Sequence, residues 1–133
     1  EGLADGTIDA IATDHAPHGP AKKSAGLQSA PFGVIGLETS LALALTTLVA
    51  KNILSRKQLV ERMSGAPARI LGLSSKGSLK PGMDADITVI DPSAAWTVKI
   101  PFESKSRNSP FLGMKLKGRT RATLVAGKVV HAL

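Results

Sequence analysis

Residues 8–18 have the sequence Ile-Asp-Ala-Ile-Ala-Thr-Asp-His-Ala-Pro-His, and this stretch decides most of the fold prediction. The short apolar run from Ile8 to Thr13 ends in a segment that prolines and a glycine interrupt, which predicts a buried strand followed by a loop. A carboxylate at the end of such a strand lies at the mouth of a parallel sheet or barrel, where ligands bind in α/β folds. Asp14 is therefore the first candidate functional residue.

Asp14 and His18 have side chains that suit a metal or anion site. A carboxylate can bind a divalent ion and can move a proton to or from a metal-bound water. An imidazole four residues later can bind a metal or donate to an anionic substrate group. The same spacing also fits a plain turn in which the aspartate bonds nearby backbone amides, so both interpretations stay open at this point. His131 stands apart from them and is expected to be an ordinary surface or strand residue.

The central part of the chain predicts a long loop followed by helices. Residues 21–36 contain two lysines, three glycines and a proline, which favours a loop. Residues 37–50 are nearly apolar all round, which predicts a helix with neighbours on more than one side. A capping box, Ser55 with Gln58, begins the next helix. That helix is expected to end at residues 64–67, where Pro67 opens a short helix through Leu71.

The last third of the chain predicts strands. Ile87–Ile90 is a β-branched run closed by Asp91-Pro92, and residues 96–100 alternate between apolar and polar side chains. Residues 124–130 carry the pattern of a hairpin around Ala126-Gly127-Lys128.

Composition excludes several classes of protein. The chain has 133 residues, a formal net charge of +7 and no cysteine. Disulfide frameworks and thiolate metal sites are excluded, and a reducing cytoplasm suits this composition. No run reaches the roughly 18 apolar residues of a membrane-spanning helix, so no membrane role is expected. The densest basic stretch, residues 105–121, has Phe111 as its one stacking aromatic, which favours a solvated basic face over a nucleic-acid-binding module.

Several motifs, taken together and in order, resemble the carboxy-terminal portion of a class I dihydroorotase of the amidohydrolase superfamily. The resemblance rests on the Thr-Asp-His-Ala-Pro-His segment, Pro-Phe-Gly at 31–33, Gly-Leu-Glu-Thr at 36–39, the Pro-Ala-Arg segment at 67–69, Pro-Gly-Met-Asp-Ala-Asp at 81–86 and residues 104–130. Ala66 replaces the asparagine that the family usually has before the Pro-Ala-Arg segment. The resemblance covers nearly the whole chain.

The resemblance implies an α/β fold. Residues 1–73 would be the last strand, substrate loop and closing helices of a metal-dependent hydrolase (β/α)8 TIM barrel. Residues 74–133 would be part of a small β-rich, β-sandwich-like composite domain. A whole barrel of this kind needs roughly 200 residues or more, so the missing portion of the barrel is expected in the same or another chain.

The resemblance also implies a reaction, a metal and site residues. The reaction is the zinc-dependent, reversible cyclisation of N-carbamoyl-L-aspartate to L-dihydroorotate in pyrimidine biosynthesis. Asp14 would be a ligand of one or two zinc ions and would carry the proton between the attacking water and the ring nitrogen. His18 would bind the substrate carboxylate, while Phe32 and Gly33 would approach the substrate through backbone groups. Most zinc ligands would lie outside these residues, so this chain alone is expected to be inactive.

Two residues beside this site are expected to have no chemical role. Glu38 lies near the start of a predicted helix, where it would interact with the helix dipole. His15 is expected to point away from the site, because neighbouring side chains of a strand alternate. The basic residues between Lys105 and Arg121 match a family segment outside the catalytic centre.

Three alternative functions remain, and the oligomeric state is a separate expectation. An allantoinase- or hydantoinase-type cyclic amidohydrolase would share the scaffold and open another ring, and His18 favours a substrate with a free carboxylate instead. A non-catalytic relative would serve as a structural partner, for instance of aspartate transcarbamoylase. Homo-oligomerisation is also compatible with the exposed sheet edges that a partial β-domain would have. A basic nucleic-acid module would bind with a steep salt dependence.

Overall fold

The computed structural model describes all residues from 1 to 133 and contains short helices followed by one antiparallel sheet. The α-helices are α1 (Gly2–Asp5), α2 (Pro20–Lys23), α3 (Ser40–Ala44), α4 (Arg56–Val60) and α5 (Ala66–Ile70). Two π-helical segments, Leu45–Val49 and Glu61–Gly65, follow α3 and α4 directly. The strands are β1 (Ile87–Thr97), β2 (Lys115–Val125) and β3 (Lys128–Ala132). The chain is thus an α/β structure, and none of its helices combines the length and apolarity needed to span a bilayer.

The predicted helices exist, but one predicted helix end is wrong. The capping box is confirmed, since Ser55 Oγ accepts from the Gln58 amide and Gln58 Oε1 accepts from the Ser55 amide. The helix does not end at residues 64–67. It continues through the π-helical segment into α5, where Pro67 lies in the first turn. Pro67 has no N–H to donate, and it lies directly after the wider π-helical turn, where the hydrogen-bond pattern of the helix changes.

The sheet confirms the predicted hairpin. Strands β1, β2 and β3 are neighbours in that order, and both pairs are antiparallel. Ala126 and Gly127, which connect β2 to β3, have φ angles of 49° and 76°. Two consecutive residues with positive φ form the turn whose twist matches the flanking strands of a hairpin. His131 lies in β3 opposite Thr123, in the strand position that the sequence allowed.

Strand β1 differs from prediction because it passes through Asp91-Pro92 without ending. Its register with β2 shifts between Asp91 and Ala95, as in a β-bulge. Asp91 Oδ1 accepts hydrogen bonds from the amides of Ser93 and Ala94, each at 3.0 Å. These bonds satisfy the backbone where the ladder is interrupted, so the two predicted strands form one.

The basic stretch that the sequence predicted as a solvated face also forms strand β2. Lys115, Lys117 and Arg119 are exposed, whereas Leu116 and Gly118 between them are buried. A Cβ atom at Gly118 would lie 2.2 Å from Leu45 Cδ1, so the strand and the helix are in close contact there. The period-two alternation of basic and small or apolar residues was the signal for this strand.

Residues 8–13 do not form the predicted strand in this chain. Ile8 is 50% exposed, and the segment belongs to no sheet. The one parallel bridge nearby joins His15 to Val34. A central strand of a parallel sheet needs a hydrogen-bonded neighbour on each side, and these residues offer none. The prediction is therefore wrong for the chain by itself.

The core is small and joins the helices to the sheet. One cluster contains Ala42, Val98 and Leu116, and a second contains Ala44, Leu45 and Leu59. Fifteen of the 133 residues are buried, while large apolar side chains such as Leu27 and Phe32 are almost fully exposed. An apolar surface of this extent is typical of a surface that contacts further protein.

Candidate active site

Asp14 lies at the end of the extended segment with its carboxylate unbonded. Its side chain is exposed and its φ angle is 41°, in the left-handed region that aspartate tolerates better than most residues. The carboxylate accepts no hydrogen bond and forms no ion pair within the chain. The alternative of a turn in which this carboxylate bonds local amides is therefore excluded, and both oxygens are free to bind a ligand.

The chain by itself does not contain a complete metal site. No group of three or more histidine, aspartate or glutamate side chains lies close enough to hold an ion. Zinc sites usually have three or four protein ligands. The free carboxylate of Asp14 fits one position in such a ligand set, and the other ligands would have to come from outside these residues.

His15 has a structural role, as expected. Its Nδ1 accepts hydrogen bonds from the amides of Gly36 and Leu37 at 3.1 and 3.3 Å. An atom that accepts from two donors carries no proton itself. The Nδ1 atom of His15 therefore fixes the start of the segment that leads into α3.

His18 links the Asp14 segment to the loop that contains Phe32. Its Nε2 lies 2.9 Å from the carbonyl oxygen of Phe32, to which it donates. Its backbone amide donates to Asn108 Oδ1 at 3.2 Å. The ring atom left for another ligand is Nδ1, which can donate to an anion when the ring is doubly protonated.

Phe32 and Gly33 present backbone donors that no group of this chain accepts from. The Phe32 side chain is 95% exposed, so its ring is not part of the core. Unpartnered N–H groups in a loop are suitable for binding an anion or a carbonyl oxygen. The two residues thus keep the backbone groups that the sequence assigned to substrate contact.

Gly33 is required for a reason that the sequence did not reveal. Its φ angle is 107°, and a Cβ atom there would lie 2.4 Å from Ala16 Cβ. The glycine thus allows the loop to approach the Asp14 segment within this chain.

Three polar residues that the sequence did not single out hold the two loops together. Asn108 Nδ2 donates to the carbonyl oxygens of Ala16 and Gly33 at 2.9 and 3.2 Å. Lys23 Nζ donates to the carbonyl oxygens of Pro31 and Gly33 at 2.9 and 3.2 Å. Ser106 is buried and lies against the His18 carbonyl. Ser106 and Asn108 lie in the 104–130 segment of the resemblance, but nothing in the sequence gave any of the three residues this role, because the role consists of contacts with backbone atoms of other segments.

Glu38 acts differently from the sequence expectation. Its carboxylate oxygens accept from the amides of Glu103 and Ser104 at 3.0 and 3.1 Å. It therefore fixes a loop of the second half of the chain. A dipole interaction at a helix start is not its main contact.

The site residues are not enclosed. One cavity of the chain lies between α3 and the sheet, and another lies beside α4. Neither is lined by Asp14, His18, Phe32 or Gly33. These residues form an open surface, and a water-excluding active site would need a cover from outside the chain.

The comparisons with known proteins agree with this arrangement of loops, helices and sheet. The model of the amidohydrolase family matches residues 1–130. The chain belongs to the amidohydrolase family.

Among relatives of this amidohydrolase chain, a dihydroorotase of Geotalea daltonii is 56% identical over 131 residues, and one of Pelotomaculum thermopropionicum is 54% identical. The L-hydantoinase (dihydropyrimidinase) from Arthrobacter aurescens has the same fold over 99% of the chain, with a TM-score of 0.91 and 38% identity. The amidohydrolase chain covers 98% of its own length against both dihydroorotases but spans only 30% of theirs, and it also spans 30% of the hydantoinase.

Proposed function

We propose that this chain is part of a dihydroorotase, which interconverts N-carbamoyl-L-aspartate and L-dihydroorotate in pyrimidine biosynthesis. The observation that carries the proposal is the unbonded carboxylate of Asp14, which lies beside loops that present His18, Phe32 and Gly33. The similarity to dihydroorotases at 52–56% identity over almost the whole chain supports this reaction.

The proposed architecture is a piece of a larger fold. Residues 1–73 would contribute the last strand, substrate loop and closing helices of a (β/α)8 barrel, and residues 74–133 part of a small β-rich domain. The lone parallel bridge at His15 and the exposed apolar side chains support this division. In a crystal structure of the full-length protein, residues 8–13 should pair with parallel strands on both sides. An unpaired segment there would contradict the barrel proposal.

Asp14 would carry the proton in the reaction. In the ring-opening direction, water adds to the ring carbonyl carbon, the bond from that carbon to nitrogen breaks, and the nitrogen takes up a proton. A carboxylate beside both atoms can accept the proton of the attacking water and return it to the departing nitrogen. Asp14 is suited to this because no group of the chain competes for its oxygens.

Zinc is the proposed cofactor, as one or two ions held mostly by residues outside this chain. When bound, zinc polarises a carbonyl oxygen and makes a water molecule more acidic. Asp14 would supply one oxygen ligand. We expect the isolated 133-residue chain to be inactive and to bind zinc weakly or not at all. Isothermal titration calorimetry tests this, and stoichiometric binding with a micromolar or lower Kd would contradict it.

His18, Phe32 and Gly33 would hold the substrate. The substrate carries a carboxylate beside the reacting ring, and the free amides of Phe32 and Gly33 are donors for it. His18 can add a charged donor through Nδ1 while Nε2 stays on the Phe32 carbonyl. Charged hydrogen bonds of this type contribute more than neutral ones.

The test of the function is a substrate comparison with the full-length, zinc-loaded protein. We expect turnover of dihydroorotate to exceed turnover of hydantoin and allantoin by at least about 100-fold, since a site built for a carboxylate discriminates strongly against substrates that lack one. Equal or greater turnover of hydantoin or allantoin would reject a dihydroorotase.

A hydantoinase-type enzyme is the second candidate, and the fold match to the L-hydantoinase is the observation that favours it. The lower identity, 38% against 56%, favours the dihydroorotase. A non-catalytic partner of aspartate transcarbamoylase is the third. It predicts no turnover of any of the three substrates and co-elution with that enzyme in gel filtration.

A further inference from the structure

The side chain of Asn108 makes four polar contacts at the junction of the two site loops. Its Oδ1 accepts from the His18 amide at 3.2 Å and lies 2.7 Å from Ser106 Oγ. Its Nδ2 donates to the carbonyl oxygens of Ala16 and Gly33. The donor and acceptor sides of the amide are therefore both used.

This contact pattern needs a primary amide at position 108. A carboxylate has no N–H to donate to the two carbonyl groups. An apolar side chain would remove the side-chain partners of the Ala16 carbonyl and the His18 amide, whereas the Gly33 carbonyl would keep Lys23 Nζ. Ser106 has a single hydroxyl proton, which can be donated either to Asn108 or to the His18 carbonyl. The Asn108 side chain thus contacts both loops, the backbone of Ala16 and His18 in one and the Gly33 carbonyl in the other.

The loops have little else that fixes their spacing. One parallel bridge joins them, at which Ala16 N donates to the Val34 carbonyl at 2.9 Å. The rings of His15 and His18 make the other contacts between them. The backbone of Asn108 adds a further tie, since its carbonyl accepts from the Ile35 amide at 3.1 Å. A change of the Asn108 side chain would therefore alter the distance between His18 and Gly33.

We propose that Asn108 is a positioning residue that sets the separation of His18 and Gly33, and thereby the geometry with which they hold the substrate carboxylate. The inference rests on the proposed function for its kinetic consequence. Its structural basis, the amide that bridges the two loops, is independent of which ring is opened.

The test uses the full-length, zinc-loaded protein with Asn108→Ala and Asn108→Asp. Steady-state kinetics with dihydroorotate should show KM about tenfold higher for Asn108→Ala, with kcat changed by less than about threefold, because a misplaced binding group weakens ground-state and transition-state binding alike. Asp91→Ala is the matched control, since it removes a polar side chain of β1 that contacts neither loop. It should lower the unfolding midpoint and leave KM unchanged.

Amide hydrogen exchange gives a readout that needs no substrate. In Asn108→Ala, the amides of both Ala16 and His18 should exchange faster. In Asn108→Asp, the His18 amide keeps its acceptor and stays protected, whereas the Ala16 amide exchanges faster because the loop around Gly33 loses its donor. Exchange rates equal to wild type in both variants would overturn the inference.

The two proposals fail in different ways. If the wild type does not turn over dihydroorotate, the proposed function fails, and the exchange pattern alone decides the role of Asn108. If the wild type is active but Asn108→Ala keeps its KM, or if KM and kcat change as in the Asp91→Ala control, the positioning role is rejected.

Discussion

The sheet and the site loops are held together by different kinds of bonds. Strands β1, β2 and β3 pair through backbone ladders that run along most of their length. The segments around residues 14–18 and 31–35 share one backbone bridge and are otherwise joined by side chains. The sheet therefore obtains its stability locally, whereas the site depends on a few polar residues from distant parts of the sequence.

This difference predicts that stability and activity separate between the two regions. Changes in the sheet should lower the free energy of unfolding and leave the chemistry intact. Changes at site groups without a partner in the chain, such as the Asp14 carboxylate, should lower activity and leave the free energy of unfolding unchanged. Both effects are measurable in the full-length protein.

Asp14→Asn should reduce turnover of dihydroorotate by about 10³-fold, since removal of a proton-transferring group typically costs 10²- to 10⁴-fold. The unfolding midpoint of the zinc-free protein should stay at the wild-type value, because the Asp14 carboxylate has no partner in the chain. Steady-state kinetics and thermal unfolding measure the two effects. Loss of stability without loss of activity would show that Asp14 is a structural residue.

Gly33→Ala should destabilise the protein by about 3 kcal/mol, because the added Cβ meets Ala16 Cβ at 2.4 Å and the backbone has a φ of 107°. Gly26→Ala is the matched control. Its φ is 85°, but no atom lies within 4 Å of the added Cβ, so about 1 kcal/mol is expected. Adding Ala16→Gly to Gly33→Ala should recover the difference. Equal losses in both single variants, measured by denaturant unfolding, would show that the contact is not tight.

Much of the fold could be predicted because its signals are local. The capping box of Ser55 and Gln58, the positive-φ turn at Ala126-Gly127 and the apolar helix at residues 40–49 each depend on neighbours within a few positions. Strand β2 was missed since its alternating lysines and arginines were interpreted by charge and not by period. The segment at residues 8–13 has the composition of a strand, but no other segment of this chain pairs with it.

The candidate site could be predicted only in part. Asp14 and His18 were singled out by their position after an apolar run, Phe32 and Gly33 were identified through a resemblance, and whether these residues act on a substrate stays a prediction. Asn108 and Lys23 were missed because their roles consist of hydrogen bonds to backbone carbonyls. Asn108 is 75 residues from Gly33 and 92 from Ala16, and no sequence pattern encodes such a contact.

Ser55→Ala should cost about 1 kcal/mol, the typical loss when an N-cap side chain is removed. The Gln58 amide loses its acceptor, Ser55 Oγ, whereas the backbone amide of residue 55 remains and can still donate to Gln58 Oε1. Ser74→Ala is the matched control, because Ser74 is exposed and its hydroxyl makes no hydrogen bond. Activity should be unchanged in both variants. A cost below that of the control would mean that the cap does not stabilise α4.

The smallest expected effect is a pH-dependent one at the hairpin turn. Lys76 bonds Asp86 and lies 2.9 Å from Asp84, and Asp86 Oδ1 accepts from the Ala126 amide at 2.8 Å. Lys76 holds the pKa of both carboxyl groups below the ordinary 3.8, and Asp86 in particular raises the pKa of Lys76 above 10.5.

A carboxyl group whose pKa is lowered by folding stabilises the fold at pH values above its unfolded-state pKa. This contribution is lost as the pH falls through the folded-state pKa. A lysine whose pKa is raised by folding stabilises the fold at pH values below 10.5, its ordinary pKa. This contribution is lost as the pH rises through the folded-state pKa. The stability difference between wild type and Lys76→Met should therefore be constant between about pH 5 and 9 and shrink on both sides. It should also shrink in about 1 M salt, because these groups are exposed.

Lys80→Met is the matched control for this measurement, since Lys80 is exposed and has no ionic partner. Its difference from wild type should not vary across the acid range. Protonation of Asp84 and Asp86 should weaken their ion pairs with Lys76. If the stability difference between wild type and Lys76→Met instead grows below about pH 4, Lys76 does not stabilise these carboxylates in the folded state. The turn between β2 and β3 would then be stabilised by its backbone geometry and not by the Lys76 ion pairs. The sheet would depend on its backbone ladders and not on distant side chains.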